Sequence, residues 1–137
     1  MTAIVDTNVV AYYVLGTEPF VDEVRRFWRA GHEAWAPAHW EAELANVIWM
    51  AVRTGVLPRE EGYRKLDMAS RLGVQPVAIR PIWQPALTRA VDSGVAVYDA
   101  LFVELAAQRD LKLATFDAEL LKKFPAVAQR PRTFERA

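Results

Sequence analysis

The sequence contains no cysteine and only two histidines. Without cysteine the chain has no disulfide, no thiolate nucleophile and no cysteine-based zinc site, which suits a reducing intracellular compartment. The two histidines, His32 and His39, are not spaced as a pair of metal ligands. Oxygen ligands from acidic residues are therefore the remaining option for a metal site.

The chain also lacks an excess of charge, because seventeen Lys and Arg residues balance seventeen Asp and Glu residues. This balance gives no global indication of a nucleic-acid or membrane surface. No apolar run approaches the roughly 18 residues of a membrane span, and the first residues lack the basic and apolar regions of a leader peptide. We therefore expect a cytoplasmic protein with no membrane interaction.

Apolar residues are abundant, and 53% of the 137 residues are hydrophobic. That is enough for one core, so we expect residues 1–137 to form a single domain. Short apolar runs predict strands, and apolar residues at helical spacing predict helices. The predicted strands are residues 2–5, 33–37, 73–79 and 111–116. The predicted helices are residues 20–29, 39–53, 58–72, 81–92, 97–109 and 117–124.

Alternation of strands and helices predicts an α/β fold. Right-handed crossovers cover both faces of a parallel sheet with helices, so we expect a three-layer α/β/α sandwich with four or five central strands. Residues 6–9 are predicted only as the turn into a helix. The proline in residues 73–79 favours an edge strand, and the tail from residue 125 either adds a last edge strand or remains outside the sheet.

Acidic residues follow the predicted strands at the sheet edge where ligands bind in such folds. Asp6 ends the first strand, Asp117 follows the fourth, and Asp99 lies at the start of the predicted helix 97–109. For each acid taken alone, the favoured explanation is a helix cap or a first-turn residue stabilised by the helix dipole, because capping is frequent at such positions. Three of them in three strand-to-helix units favour a common site.

The predicted helix of residues 39–53 offers two further acids, Glu41 and Glu43. They lie on opposite edges of its apolar stripe, so helical periodicity does not decide which one faces the sheet. Asn46 follows Glu43 by one turn and could hydrogen-bond it. The alternative for Glu43 and Asn46 is an exposed helix flank.

Four segments resemble, in order, the acidic motifs of the PIN-domain nucleases, and the chain's size resembles the VapC-type toxins of toxin–antitoxin pairs. The segments are IVDTNVV, WEAELANVI, VYDALFVELA and ATFDAELL. The resemblance extends from residue 2 to about residue 124 and selects Glu43 over Glu41. It implies a catalytic and metal-binding quartet, supported by Thr115 and Asn46. The quartet consists of Asp6, Glu43, Asp99 and Asp117.

The resemblance implies a metal-dependent endoribonuclease that hydrolyses phosphodiester bonds in single-stranded RNA. Clustered carboxylates raise one another's pKa unless a cation joins them, and oxygen ligands suit Mg²⁺ or Mn²⁺. We expect Asp6 and Asp99 to be direct ligands, with Glu43 and Asp117 completing the site. The alternative is a PIN-fold nucleic-acid-binding or regulatory module without productive catalysis. A receiver-like domain would need a second acid near Asp6 and a lysine after a later strand.

Trp49 lies opposite the apolar stripe of its predicted helix. Because a helix with apolar residues all round is often buried on both sides, we expect a homodimer. A small antitoxin protein is a further expected partner, which would bind exposed apolar grooves. The basic residues near the C-terminus and at residues 25–29 are interpreted as solvated surface, and none is assigned an RNA contact.

Overall fold

Five short parallel strands form the centre of the computed structural model, which describes residues 1–134. The last three residues of the predicted 1–137 domain lie outside the described residues. The strands are β1 (Thr2–Val5), β2 (Glu33–Pro37), β3 (Gln75–Val77), β4 (Leu113–Ala114) and β5 (Ala128–Gln129). Their order across the sheet is β3-β2-β1-β4-β5, with every neighbouring pair parallel. The predicted α/β fold is confirmed, with five strands.

Helices connect these strands and cover both faces of the sheet. They are α1 (Thr7–Leu15), α2 (Val21–Arg29), α3 (Trp40–Arg53), α4 (Arg59–Ser70), α5 (Arg80–Ser93), α6 (Val97–Arg109) and α7 (Ala118–Lys123), followed by a 3-10 helix at Pro131–Phe134. Helix α1 ends where Gly16 adopts the left-handed conformation with φ +64°, which a residue without a Cβ adopts without strain.

The strand order determines where in the sheet a ligand-binding site is expected. The chain adds β2 and β3 on one side of β1 and then returns to add β4 and β5 on the other side. Right-handed crossovers therefore place α1–α4 on one face and α5–α7 on the other. The packing agrees, because α1 contacts α2, α3 and α4, whereas α6 contacts α5 and the strands β1, β2 and β4. The carboxyl end of β1 is thus the switch point where such sheets bind ligands.

A helix was predicted to begin after Asp6, as observed, but its length was not predicted because the sequence of α1, TNVVAYYVL, has little amphipathic pattern. The structure explains this: α1 packs against three other helices and buries residues around most of its circumference. A helix buried on several sides has no polar face that would reveal its period. Strand β4 is also shorter than predicted, with two residues inside the predicted range 111–116.

Short strands form both edges of the sheet. Strand β3 pairs only with β2, and Pro76, which has no N–H to donate, is tolerated there as predicted. The tail forms the opposite edge strand, β5, and is held by Arg130, whose Nη2 lies 2.6 Å from Oε1 of the buried Glu23.

No helix in the described part of the chain is long and apolar enough to cross a bilayer.

Candidate active site

A cleft of about 660 Å³ opens at the carboxyl ends of the central strands, between α1, α3 and α6. We call it the acidic cleft, because all four members of the predicted quartet line it. Asn46 lines it as well, whereas Thr115 is fully buried beneath it. The structure therefore brings together side chains from four separate segments of the chain. The members are Asp6, Glu43, Asp99 and Asp117.

Asp6 is held at the junction of β1 and α1. Its backbone N–H donates to the carbonyl of Ala114 on β4 at 3.0 Å. Its Oδ1 accepts from the Thr7 backbone N–H at 2.8 Å, which caps α1. Its Oδ2 accepts from the Thr115 hydroxyl at 2.7 Å and from Asn8 Nδ2 at 3.4 Å. The carboxylate thus caps the helix and also lines the acidic cleft.

Thr115 and Asn8 join the ends of β1 and β4 below the cleft. The Thr115 hydroxyl donates to Asp6 and accepts from the Asp117 backbone N–H at 3.0 Å. The Asn8 carbonyl oxygen accepts from the Phe116 backbone N–H at 3.3 Å. This network fixes Asp6 relative to the loop that carries Asp117.

Asp117 caps α7, the short helix that follows β4. Its Oδ1 accepts from the backbone N–H groups of Glu119 at 2.8 Å and Leu120 at 3.1 Å. These bonds to two helix N–H groups fix the orientation of the carboxylate. The predicted helix-cap role and a position in the acidic cleft therefore both apply to Asp117.

Glu43 reaches the acidic cleft from the first turn of α3, whereas Glu41 is exposed. Its Oε1 accepts from the Thr7 hydroxyl at 2.7 Å and lies 3.8 Å from Nε2 of His39. The hydrogen bond that the sequence suggested from Asn46 is instead made by Thr7. Glu43 is therefore positioned by α1, across the cleft from its own helix.

Burial is the main cause that raises the pKa of Asp6, to about 7. The hydrogen bonds from Thr115 and from the Thr7 backbone stabilise the carboxylate and oppose this shift. The negative charges of Asp99 and Glu43 add to it. Asp6 therefore takes up a proton near neutral pH unless a positive charge joins the acidic cleft.

Burial also raises the pKa of Asp99, to about 6, and here charge repulsion comes from three other acids. In decreasing order these are Asp117, Glu43 and Glu119. Asp99 lies in the first turn of α6 and is half-buried. Negative charges of other members of the quartet thus contribute to the raised pKa values of both Asp6 and Asp99.

The donor chemistry of the acidic cleft fits a hard divalent cation. The donors are carboxylate oxygens, and within residues 1–134 no lysine or arginine forms an ion pair with a member of the quartet. Among the same residues, no three acidic or histidine side chains converge closely enough to make a ready ligand set for a metal ion. The quartet therefore forms an open acidic cleft and not a closed cage.

Sequence reasoning missed several residues of this site, among them Thr7, Asn8 and Tyr98. The first two follow Asp6 directly, and a hydroxyl and an amide beside a strand-end acid are a usable signal for a hydrogen-bonded turn. Tyr98, which lines the cleft, gave no comparable signal. Its backbone carbonyl contacts His39, which lies 59 positions away in the sequence.

Comparison with known proteins gives matches over most of the chain. The family model described as PIN domain matches residues 3–126. A curated relative, Ribonuclease VapC3 from Pyrobaculum aerophilum, is 36% identical over 89 residues. Those residues span 62% of this chain and 66% of the relative, just under two thirds of its length.

Solved structures share the fold. A crystal structure of a protein from Pyrobaculum aerophilum has a TM-score of 0.70 and 21% identity, and the match covers 93% of this chain and 83% of that chain. A toxin–antitoxin complex from Klebsiella pneumoniae contains a chain with a TM-score of 0.59 and 16% identity, matched over 94% of this chain and 97% of that chain. At these identities the likeness concerns the fold alone.

Proposed function

The chain belongs to the PIN-domain family, and from that premise we propose that it is a metal-dependent endoribonuclease, the VapC-type toxin of a toxin–antitoxin pair. The observation that carries the proposal is the acidic cleft, in which four separate segments bring together carboxylates, and in which burial and neighbouring negative charges raise the pKa values of Asp6 and Asp99. The name of the relative, Ribonuclease VapC3, supports RNA as the substrate.

The proposed cofactor is Mg²⁺ or Mn²⁺, which when bound lowers the pKa of water and stabilises negative charge at the phosphorus. Asp6 and Asp99 would hold the ion directly, and the Thr115 hydroxyl fixes Asp6 for this role. Glu43, fixed by Thr7, and Asp117 would complete the site or orient the attacking water. Asn46, one turn after Glu43 on α3, lines the cleft and would act there as a supporting residue without a hydrogen bond to Glu43.

The test is cleavage of single-stranded RNA by the purified chain. We expect cleavage with Mg²⁺ or Mn²⁺, loss of cleavage in excess EDTA, and recovery when the metal is restored. Cleavage that persists in EDTA would exclude metal dependence. RNA binding with no cleavage under any metal condition would favour the alternative, a PIN-fold nucleic-acid-binding or regulatory module.

Self-association is the second part of the proposal, and it is supported by apolar side chains that α3, α4 and α5 leave exposed. They are Val47, Trp49, Met50, Tyr63, Leu66, Trp83, Leu87 and Val91. Large exposed apolar surfaces usually mark protein interfaces. We propose that the chain forms a homodimer and that an antitoxin protein is a further partner. We also propose that the chain, the antitoxin and the RNA substrate are in the cytoplasm.

Replacement of Trp49 by Asp is expected to weaken the proposed homodimer. The side chain is 51% exposed, so a charge there costs little in the monomer but is strongly unfavourable inside an apolar interface. We expect the dimer dissociation constant to rise at least about tenfold, which corresponds to about 1.4 kcal/mol. Light scattering coupled to size exclusion measures it. Asp22→Ala, on exposed α2 surface, is the control, and an unchanged mass for Trp49→Asp would contradict the assignment.

A further inference from the structure

Tyr98 presents an exposed aromatic ring to the acidic cleft. It directly precedes Asp99 in the first turn of α6, lines the same cleft, and is 66% exposed. The ring therefore lies at the acidic cleft beside the acids. Nothing in the proposed chemistry of the quartet uses it.

The ring of Tyr98 is supported from one side by His39. The two ring centroids lie 6.0 Å apart with an interplanar angle of 29°. His39 packs in turn on the buried ring of Phe102, at 4.9 Å between centroids. Nε2 of His39 lies 3.1 Å from the backbone carbonyl of Tyr98, and because a carbonyl only accepts hydrogen bonds, this nitrogen is the donor. The hydrogen bond holds the backbone of Tyr98, the His39 ring lies beside its side chain, and the rest of the Tyr98 ring is open to solvent.

Tyr12, the other tyrosine that lines the acidic cleft, differs in this respect. Its ring stacks on Phe20 at 4.7 Å with an interplanar angle of 10°, and it also contacts Phe116 at 5.2 Å. Tyr12 is half-buried and its aromatic neighbours already cover it. Of the two tyrosines, Tyr98 alone offers an open aromatic face beside the quartet.

We propose that Tyr98, supported by His39, is a base-stacking platform that holds the base of a nucleotide next to the phosphate at the acids. The inference rests on the proposed function, since it assigns single-stranded RNA to the same cleft. Unpaired bases stack readily on aromatic side chains, and every base has a π-face. The platform therefore increases affinity for base-bearing single strands and positions them, without selecting one base by hydrogen bonding.

The acids beside Tyr98 favour a nucleic acid as the occupant over a peptide or a second copy of this chain. A ligand that covers the open face of Tyr98 also meets the carboxylates of Asp6 and Asp99, which line the same cleft, and a metal ion held by them would pair with the phosphates of a nucleic acid. By contrast, an apolar partner over the same ring would bury those carboxylates without a countercharge, which is costly.

The test compares binding of two fluorescent strands of about twelve units, a single-stranded RNA and an abasic ribose-phosphate strand with the same number of charges. Fluorescence anisotropy is measured with Ca²⁺ in place of Mg²⁺, so that cleavage is slow. The parent chain is expected to prefer the base-bearing strand by about five- to a hundredfold, the range of one base–aromatic stack. Tyr98→Ala should lose most of this preference, whereas Tyr98→Phe should keep it.

Val56→Ala is the control, because Val56 is 71% exposed in the loop after α3, does not line the acidic cleft and is not among the side chains of the proposed dimer surface. This variant should keep the full preference. Circular dichroism checks that each variant is folded, and Tyr98→Phe tests the platform even if Tyr98→Ala unfolds. Size exclusion of the same samples detects any change in self-association.

The outcomes separate this inference from the proposed function. An unchanged preference in Tyr98→Ala, or no preference in the parent chain, overturns the platform even if RNA is cleaved with Mn²⁺. A preference that depends on Tyr98, without any cleavage, supports the platform and overturns the ribonuclease. Binding of neither strand overturns both. Binding lost together with a fall in molecular mass would assign the ring to a second copy and would also overturn the platform.

Discussion

Replacement of Asp6 by Asn is expected to lower ribonuclease activity on the order of 10³-fold, the size of effect seen when one preorganised electrostatic group is removed. Asn has nearly the same shape, and its carbonyl oxygen can still accept from the Thr7 backbone N–H and cap α1. It lacks the negative charge that would bind the metal. Initial rates on single-stranded RNA with Mn²⁺ measure the loss.

The fold of Asp6→Asn should be at least as stable as that of the parent chain. Burial and the charges of Asp99 and Glu43 raise the pKa of Asp6 to about 7, so above neutral pH the metal-free parent contains a destabilised buried carboxylate. A neutral Asn removes that cost. Thermal unfolding without metal near pH 8 should therefore give an equal or higher midpoint for the variant.

Two further variants make the test of Asp6 specific. Asp99→Asn should cause a loss of similar size, because Asp99 lies in the same coupled cluster. Asp22→Asn, which changes an acid whose side chain is 78% exposed on α2, should leave the rate unchanged. Rates for Asp6→Asn and Asp99→Asn within a few-fold of the parent rate would contradict the assigned site.

The fold was largely predictable because hydrophobic pattern and strand–helix alternation are local properties of the sequence. Residues 33–37 and 97–109 form β2 and α6 with the predicted bounds. The start of α1 after Asp6 was predicted but its extent was not, because burial on several sides removes the amphipathic signal. Strand pairing sets the length of β4, which ends at Ala114 beside the end of β1, and local pattern does not contain that information.

The candidate site was predictable only in part. Residues at strand ends could be predicted from the fold, whereas residues placed by contacts between distant helices could not. Asp6 and Asp117 were indicated because each follows a predicted strand. In a parallel sheet the carboxyl ends of the strands lie at one edge, where ligands bind. Periodicity could not distinguish Glu43 from Glu41, which differ in the structure through the Thr7–Glu43 hydrogen bond between residues 36 positions apart. Such contacts depend on how helices pack across the sheet, so a single sequence does not reveal them.

Without metal, the free energy of unfolding is expected to fall as the pH rises from about 4 to about 7. The folded chain retains the proton on Asp6 up to a pKa of about 7, whereas the ordinary pKa of an aspartate side chain is 3.8. Between these values the folded state binds more protons than the unfolded state, so stability decreases with rising pH. Asp99, whose pKa is raised to about 6, contributes in the same direction over a narrower range. Thermal unfolding across this range measures the slope, and Asp6→Asn should flatten it.

Addition of Mn²⁺ is therefore expected to raise the melting temperature more near pH 8 than near pH 5, because protons compete with the metal for the same carboxylates at low pH. At a concentration about 100 times the dissociation constant, binding alone adds about 2.7 kcal/mol, which corresponds to a shift on the order of 10 °C for a domain of this size. NaCl at matched ionic strength controls for screening, and Asp6→Asn should lose most of the shift. An equal or larger shift near pH 5, or the same shift in Asp6→Asn, would place the ion away from the quartet.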